Sequence, residues 1–120
     1  MSSRVDKINS TIREFDSTPG VQGAALVSLD GLMISAALPE SEQERVAAIS
    51  AAMLSLGEKA TRELNRGELM EIYVKGDKGY TLMTSVGESA LLLVLARADA
   101  QLGLIFVDME RMSESLADVL

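Results

Sequence analysis

The run ALLLVLA, residues 90–96, constrains the fold more than any other segment because it contains no polar side chain. A strand with one face in water alternates apolar and polar residues, whereas a strand covered on both faces is apolar throughout. We therefore expect this segment to form a central strand. Its sheet should have a layer of helices on each face.

Four more segments read as strands, and their connections are short. The segments are GAALVSL (23–29), LMISAA (32–37), LMEIYVK (69–75) and YTLMTSV (80–86). The dipeptide Asp30-Gly31 predicts a tight hairpin with a type I′ turn between the first two. Glycine-containing turns at 76–79 and 87–89 connect the last three strands,. Hairpin connections of this kind predict an antiparallel sheet.

Three helices complete the predicted order. The first carries apolar residues at helical spacing, namely Val5, Ile8, Ile12 and Phe15,. Ser41 and Glu44 have the spacing of a capping box, which begins a long second helix that continues to about Gly67. Asp99 is predicted to cap the third helix. The result is an α/β (α+β) fold of order α-ββ-α-βββ-α, with a five-stranded antiparallel sheet. The long middle helix should cover one face and the two terminal helices the other.

Composition excludes several functional classes. With 18 acidic and 11 basic residues among 120, the formal charge is −7, which disfavours binding to nucleic acid phosphates,. Aromatic residues make up only 3%, so no stacking surface for single strands is expected,. No apolar stretch is long enough to cross a membrane. The sequence predicts a single cytoplasmic domain over residues 1–120, with no nucleic acid partner and no membrane insertion.

The residues for catalysis are largely missing. The chain has no His and no Cys, and it lacks the glycine-rich loops that hold nucleotide phosphates,. Neighbouring carboxylates such as Glu42 and Glu44 read as solvated helix surface. We expect no enzyme activity, no cofactor and no metal. The methionines read mainly as core residues, although an adaptable methionine-rich groove is an alternative.

The middle helix is apolar on more than one side. At about 100° per residue, one arc collects six apolar residues: Val46, Ile49, Met53, Leu56, Ala60 and Leu64,. The opposite arc contains Glu44, Ala47, Ala48, Ala51, Leu54, Ser55, Glu58 and Arg62. We expect the first arc to face the sheet. The small residues of the second arc would let another helix approach closely, as in a two-fold homodimer. Alternatively, alanine is there because it is a good helix former that tolerates exposure.

The order of elements, the stretch GAALVSLDGLMISAA (23–37) and the pair GYTLMTSVGESALLLVLA (79–96) resemble the Roadblock family of dynein light chains. Within that family, the chain resembles the bacterial and archaeal MglB-type regulators of Ras-like GTPases. The resemblance covers about residues 3–118. It implies a single Roadblock-type domain, related to profilin-like folds, that binds partners rather than catalysing a reaction.

The resemblance also implies where partners bind. The middle helices of two copies would pack antiparallel, and the third strand would pair with its copy, which adds Glu71 and Tyr73 to the dimer interface. A small Ras-like GTPase would meet the exposed surface of the helix pair. The candidate contacts there are Arg45, Lys59, Arg62 and Arg66. The alternative function is a profilin-like small-ligand sensor, or a structural interaction module without a GTPase partner.

Overall fold

A five-stranded antiparallel sheet organises the chain in the computed structural model, which describes residues 3–120. Three α-helices surround the sheet: α1 (Arg4–Glu14), α2 (Glu40–Glu63) and α3 (Leu102–Ala117). The strands are β1 (Val21–Ser28), β2 (Met33–Ala37), β3 (Glu71–Gly76), β4 (Gly79–Val86) and β5 (Ala90–Arg97). The predicted order of elements is confirmed, with one added 3₁₀ turn at Phe15–Ser17.

β5 is the central strand, as predicted from its unbroken apolar run. The strand order is β2-β1-β5-β4-β3, and every neighbouring pair is antiparallel. Leu92 pairs with Leu26 on one side and with Thr84 on the other. Leu91, Leu92 and Val94 are fully buried because both faces of the strand are covered. The sheet edges are therefore β2 and β3.

The helices divide between the two faces as expected. α1 and α3 cover one face, where Ile12, Ile105 and Met109 pack against alternate residues of β1, β4 and β5. α2 covers the other face, where Ala47 packs against β1, and Leu54 packs against β4 and β5. Side chains alternate across a strand, so each central strand contributes to both layers.

The β1–β2 hairpin is present, but its turn differs from the predicted type I′. A type I′ turn needs positive φ at both central residues, and of Asp30 and Gly31 only Gly31 has it, at 86°. The Gly31 amide donates to the Ser28 carbonyl at 3.1 Å, and the Ser28 amide donates to the Leu32 carbonyl at 2.8 Å. These bonds define a longer loop, residues 29–31, with glycine in the left-handed position.

Two predicted helix caps are wrong. α2 begins at Glu40 after Pro39, so Ser41 and Glu44 lie inside the helix and form no capping box. α3 begins at Leu102, and the Asp99 carboxylate instead accepts from the Arg97 guanidinium at 3.1 Å. Proline fixes the backbone just ahead of a helix and can replace a side-chain cap as its starting signal. A capping box does occur at α1, between Ser3 and its N3 residue.

The side of α2 that faces the sheet lies between the two predicted arcs, about a quarter turn from the expected one: Val46 and Met53 of the first arc pack against the core, and Ala48 and Ser55 of the second are exposed,. Ala47 (3% exposed), Ser50 and Leu54 (7% exposed) are buried toward the sheet. In the arc expected to face the sheet, Ile49 is 48% and Leu56 69% exposed. Hydrophobicity of the two arcs therefore gave the wrong orientation of the helix.

Close approach explains the orientation of α2. At Gly57 an added Cβ would lie 2.6 Å from the Ile72 Cδ1 atom, so the helix packs against β3 at a point where it has no side chain. Ser50 tolerates full burial because its hydroxyl donates to the Val46 carbonyl at 2.8 Å within the same helix,. Small residues at 47, 50 and 57 bring the helix backbone close to the sheet, with Leu54 buried among them, and Ile49 and Leu56 remain outside.

We predict that two neighbouring leucines of α2 respond very differently to truncation. Leu54→Ala removes a buried side chain and should lower the free energy of unfolding by about 2–5 kcal/mol. Leu56→Ala changes an exposed position and should alter the stability of a single subunit by about 0.5 kcal/mol or less. Urea denaturation at low protein concentration measures both changes. Equal losses would contradict the orientation of α2.

Candidate functional site

The outer side of α2 presents a row of apolar side chains, which we call the α2 outer stripe. It consists of Ile49, Ala52, Leu56, Ala60 and Leu64, all of them exposed. These residues follow helical spacing, so they lie along one side of the helix. Exposed apolar stripes of this kind are typical of surfaces that contact other macromolecules.

The sheet beside α2 is also incompletely covered. Val74, Thr81 and Leu95 occupy one row across β3, β4 and β5, because Thr81 pairs with both of the others. Val74 is exposed, and Thr81 and Leu95 are half-buried. The next row along the strands includes Met83 and Leu93, which are buried. α2 therefore leaves one strip of its own sheet face open.

The uncovered strip adjoins the outer side of the helix. Ala51 is turned toward the β1–β2 loop, where an added Cβ at Gly31 would lie 3.3 Å from the Ala51 Cβ. At about 100° per residue, Met53 and Ala60 lie on the opposite flank of α2. That flank is turned toward the Val74 row. The helix flank and the sheet strip together form one apolar surface.

β3 is an edge strand whose two sides differ in composition. Glu71, Tyr73 and Lys75 point to the α3 side, and Ile72 and Val74 point to the α2 side. The Tyr73 ring lies 6.4 Å from the Phe106 ring, edge to face, and 6.3 Å from the Tyr80 ring. No strand pairs with the outer edge of β3 within residues 3–120. Its backbone groups there are available to another strand.

The predicted dimer residues do not form one surface. Ala47 and Leu54 lie under the helix, in the core, which removes them from any surface offered to a second copy. Ala48 and Ser55 are exposed, as is Glu44. Glu71 and Tyr73 are exposed on β3. The remaining charged pair, Glu58 and Arg62, lies beside a groove under the C-terminal half of α2.

That groove separates the charged flank of α2 from the turns of the sheet. It has a volume of about 560 Å³ and is bounded by Leu29, Leu69 and Glu88 as well as by the helix. The Arg62 guanidinium donates to the Glu58 carboxylate at 3.1 Å across its rim. The Arg62 side chain is largely exposed and that of Glu58 is half-exposed, so this ion pair contributes little to stability,.

The four predicted cationic contacts fall into two groups. Arg45 lies near the start of α2 and pairs with Glu42 at 3.5 Å. Lys59 and Arg62 lie near its end, and the Arg66 guanidinium follows, donating to the Leu64 carbonyl at 3.0 Å. Fourteen residues of helix, about 21 Å, separate Arg45 from Lys59. One subunit alone does not assemble these side chains into a single basic patch.

The contact of α2 with β3 and β4 is tightly packed. The void bordered by Leu54, Ile72 and Met83 has no room for a water molecule, with an accessible volume of about 0 Å³. Across residues 3–120, no group of three acidic, histidine or cysteine side chains is placed to hold a metal ion. No helix of that same part of the chain is long and apolar enough to cross a bilayer.

Fold and surface together define a small α/β domain with an exposed apolar face along its middle helix. The model of the Roadblock/LC7 domain matches residues 7–96, and the chain belongs to this family. It is 36% identical over 110 residues to an uncharacterized protein of Methanocaldococcus jannaschii, an alignment that spans 91% of this chain and 96% of that protein.

Solved structures share the fold. A Roadblock/LC7 domain from Streptomyces avermitilis superposes with a TM-score of 0.87 at 23% identity, covering 92% of this chain and 94% of that one. MglB of Myxococcus xanthus gives a TM-score of 0.86 at 21% identity, with coverage of 99% and 91%. Profilin IA of Acanthamoeba castellanii gives 0.57 at 12% identity, with coverage of 97% and 98%. The predicted relation to both Roadblock and profilin-like folds is confirmed.

Proposed function

We propose that this chain is a non-enzymatic, dimeric regulator or scaffold that binds a small Ras-like GTPase. The observation that carries the proposal is the exposed α2 outer stripe in a Roadblock/LC7 domain. In such a domain, the resemblance to MglB-type proteins implies a helix pair that faces a GTPase. The chain has no His and no Cys, which fits a binding role rather than a catalytic one.

A second copy fits the apolar surface beside α2. An antiparallel partner helix would lie over the open strip of Val74, Thr81 and Leu95 while packing against Leu56. It would cover apolar groups of the helix and of the sheet at once, and that burial favours association. This interface replaces the small-residue arc that the sequence suggested for the same role.

The edge strand β3 supports two-fold pairing through its charge pattern. In an antiparallel pair centred on Tyr73, Glu71 of each copy lies opposite Lys75 of the other. On the α2 side of the sheet, Ile72 lies opposite Val74 in the same register. Opposite charges and apolar pairs across neighbouring strands are both stabilising. The five-residue segment EIYVK is thus complementary to itself.

We predict that Leu56→Glu converts a dimer to a monomer, because a carboxylate would be buried in the apolar interface. Size-exclusion chromatography with multi-angle light scattering measures the mass over a concentration series. Leu32→Glu is the matched control, since Leu32 is similarly exposed but lies just before β2, away from the outer side of α2. A Leu56→Glu chain that remains dimeric would contradict the α2 interface.

A charge exchange tests the register of β3. Lys75→Glu alone places two pairs of carboxylates across the interface, which should weaken the dimer. Adding Glu71→Lys restores opposite charges at both pairs and should recover most of the lost affinity. Sedimentation equilibrium gives the dissociation constant of each variant. If the double variant does not dimerise more tightly than Lys75→Glu alone, the two strands do not pair in this register.

The dimer would bring the two cationic groups of α2 together. In an antiparallel pair of helices, the N-terminal half of one copy lies beside the C-terminal half of the other. Arg45 would then lie nearer to Lys59 and Arg62 of the second copy than to those of its own. A basic area of this size can steer an acidic partner surface and hold it by ion pairs.

We predict that Lys59→Glu/Arg62→Glu weakens GTPase binding at least about tenfold, since two attractive charges become repulsive. The test is fluorescence anisotropy with each small Ras-like GTPase of the source organism, loaded with GDP or with a non-hydrolysable GTP analogue. Lys7→Glu/Arg13→Glu on α1 is the control of equal charge change. If none of these GTPases binds, the proposed partner is wrong. If the α1 control loses as much affinity as the α2 variant, the GTPase does not contact α2.

A further inference from the structure

A second groove opens on the sheet face opposite α2, between α3 and the edge strand β3. It has a volume of about 310 Å³. Phe106 and Met109 of α3 line it from one side, and Met70 lines it from the other. Phe106 is fixed by its edge-to-face contact with Tyr73. The α3 wall of the groove is therefore held by packing on the sheet, and Met70 joins it from the connection just before β3.

The apolar groups along this groove are unusually open to solvent. Met70 is 76% and Val107 61% exposed, although both line the groove. Met70 therefore departs from the core role expected of the methionines. Flexible methionine side chains adapt to the shape of a bound partner. A contiguous patch of this kind indicates a contact surface.

The charge of the groove has one sign. Its ionisable lining groups are Glu71, Glu110 and Glu114, and no basic residue lines it. None of the three carboxylates takes part in an ion pair within residues 3–120. The neighbouring Arg111 guanidinium is directed to Asp108, at 3.3 Å. The groove therefore combines an apolar floor with an acidic rim.

We propose that this groove binds a basic amphipathic helix of a partner protein. Apolar side chains at i, i+3 and i+4 of that helix would contact Phe106, Val107 and Met70, and its Lys or Arg residues would face Glu110 and Glu114. The groove follows α3 from Phe106 to Glu114, about 12 Å, which matches two to three turns of a helix. The acidic rim disfavours both nucleic acid and an anionic membrane.

This site does not involve α2, and it meets the proposed dimer interface only beside β3, at Met70 and Glu71. The groove opens on the α1–α3 face, and a single copy forms it completely. In a β3-paired dimer Glu71 would lie opposite Lys75 of the second copy, so the two carboxylates of α3 carry the charge argument. The two grooves of such a dimer would flank its two-fold axis. A bound helix would leave α2 free for its own partner.

The test uses the full chain and a synthetic helical peptide of about 15 residues, long enough for marginal helicity in water. The peptide carries Leu at i, i+3, i+4 and i+7, Lys on the flanking positions and Ala elsewhere. A second peptide has Glu in place of every Lys. Isothermal titration calorimetry measures both peptides on the parent chain, on Glu110→Lys/Glu114→Lys and on Val107→Asp. Glu14→Lys/Asp16→Lys, at the end of α1 and in the 3₁₀ turn that follows it, is the control of equal charge change, and circular dichroism verifies folding.

We expect the Lys peptide to bind the parent and the control with equal affinity. It should bind Glu110→Lys/Glu114→Lys and Val107→Asp at least about tenfold more weakly. The Glu peptide should not bind the parent. An equal loss in the control, equal binding of both peptides, or no binding to the parent would overturn the site. A peptide affinity that falls as the protein concentration rises would also overturn the site, because a second copy of the chain would then occupy the groove. If the Lys peptide still binds the Leu56→Glu variant, the groove acts independently of the proposed dimer.

Discussion

The structure depends on the close packing of α2 against the sheet. Ala47, Ser50 and Gly57 present almost no side chain toward the strands, so the helix backbone approaches to a distance that larger residues would prevent,. Once this face is fixed inward, the helical repeat determines which side chains face outward. Ile49 and Leu56 are then exposed although they are among the largest apolar residues of the helix. The surface proposed for a second copy follows from the packing of the first.

Much of the fold could be predicted from the sequence. The unbroken run at 90–96 placed β5 at the centre of the sheet, and the short glycine turns gave antiparallel neighbours. Helix ends were harder, since Pro39 begins α2 without the side-chain cap that Ser41 and Glu44 suggested. The predicted turn type was also wrong, because Asp-Gly is compatible with more than one loop length. The pairing of the flanking strands determines which length is adopted.

The candidate site was less accessible to sequence reasoning, for a physical reason. Burial of a helix face depends on how closely the backbone can pack as well as on the hydrophobicity of its side chains. Both arcs of α2 were apolar enough to be buried, and a scale of hydrophobicity alone favours the larger residues. The small residues at 47, 50 and 57 were the available signal. The groove beside α3 was harder to predict, because its apolar and acidic residues come from separate segments of the sequence.

The charge order of β3 has a consequence for how such a surface could diverge. In the proposed two-fold pair every residue of EIYVK acts twice, once on each side of the axis, so a substitution at Glu71 or Lys75 is penalised twice in a homodimer. After gene duplication, one copy could carry Glu at both positions and the other Lys at both, and the two would then pair only with each other. A self-complementary segment of five residues is thus only two substitutions away from an obligate heterodimer.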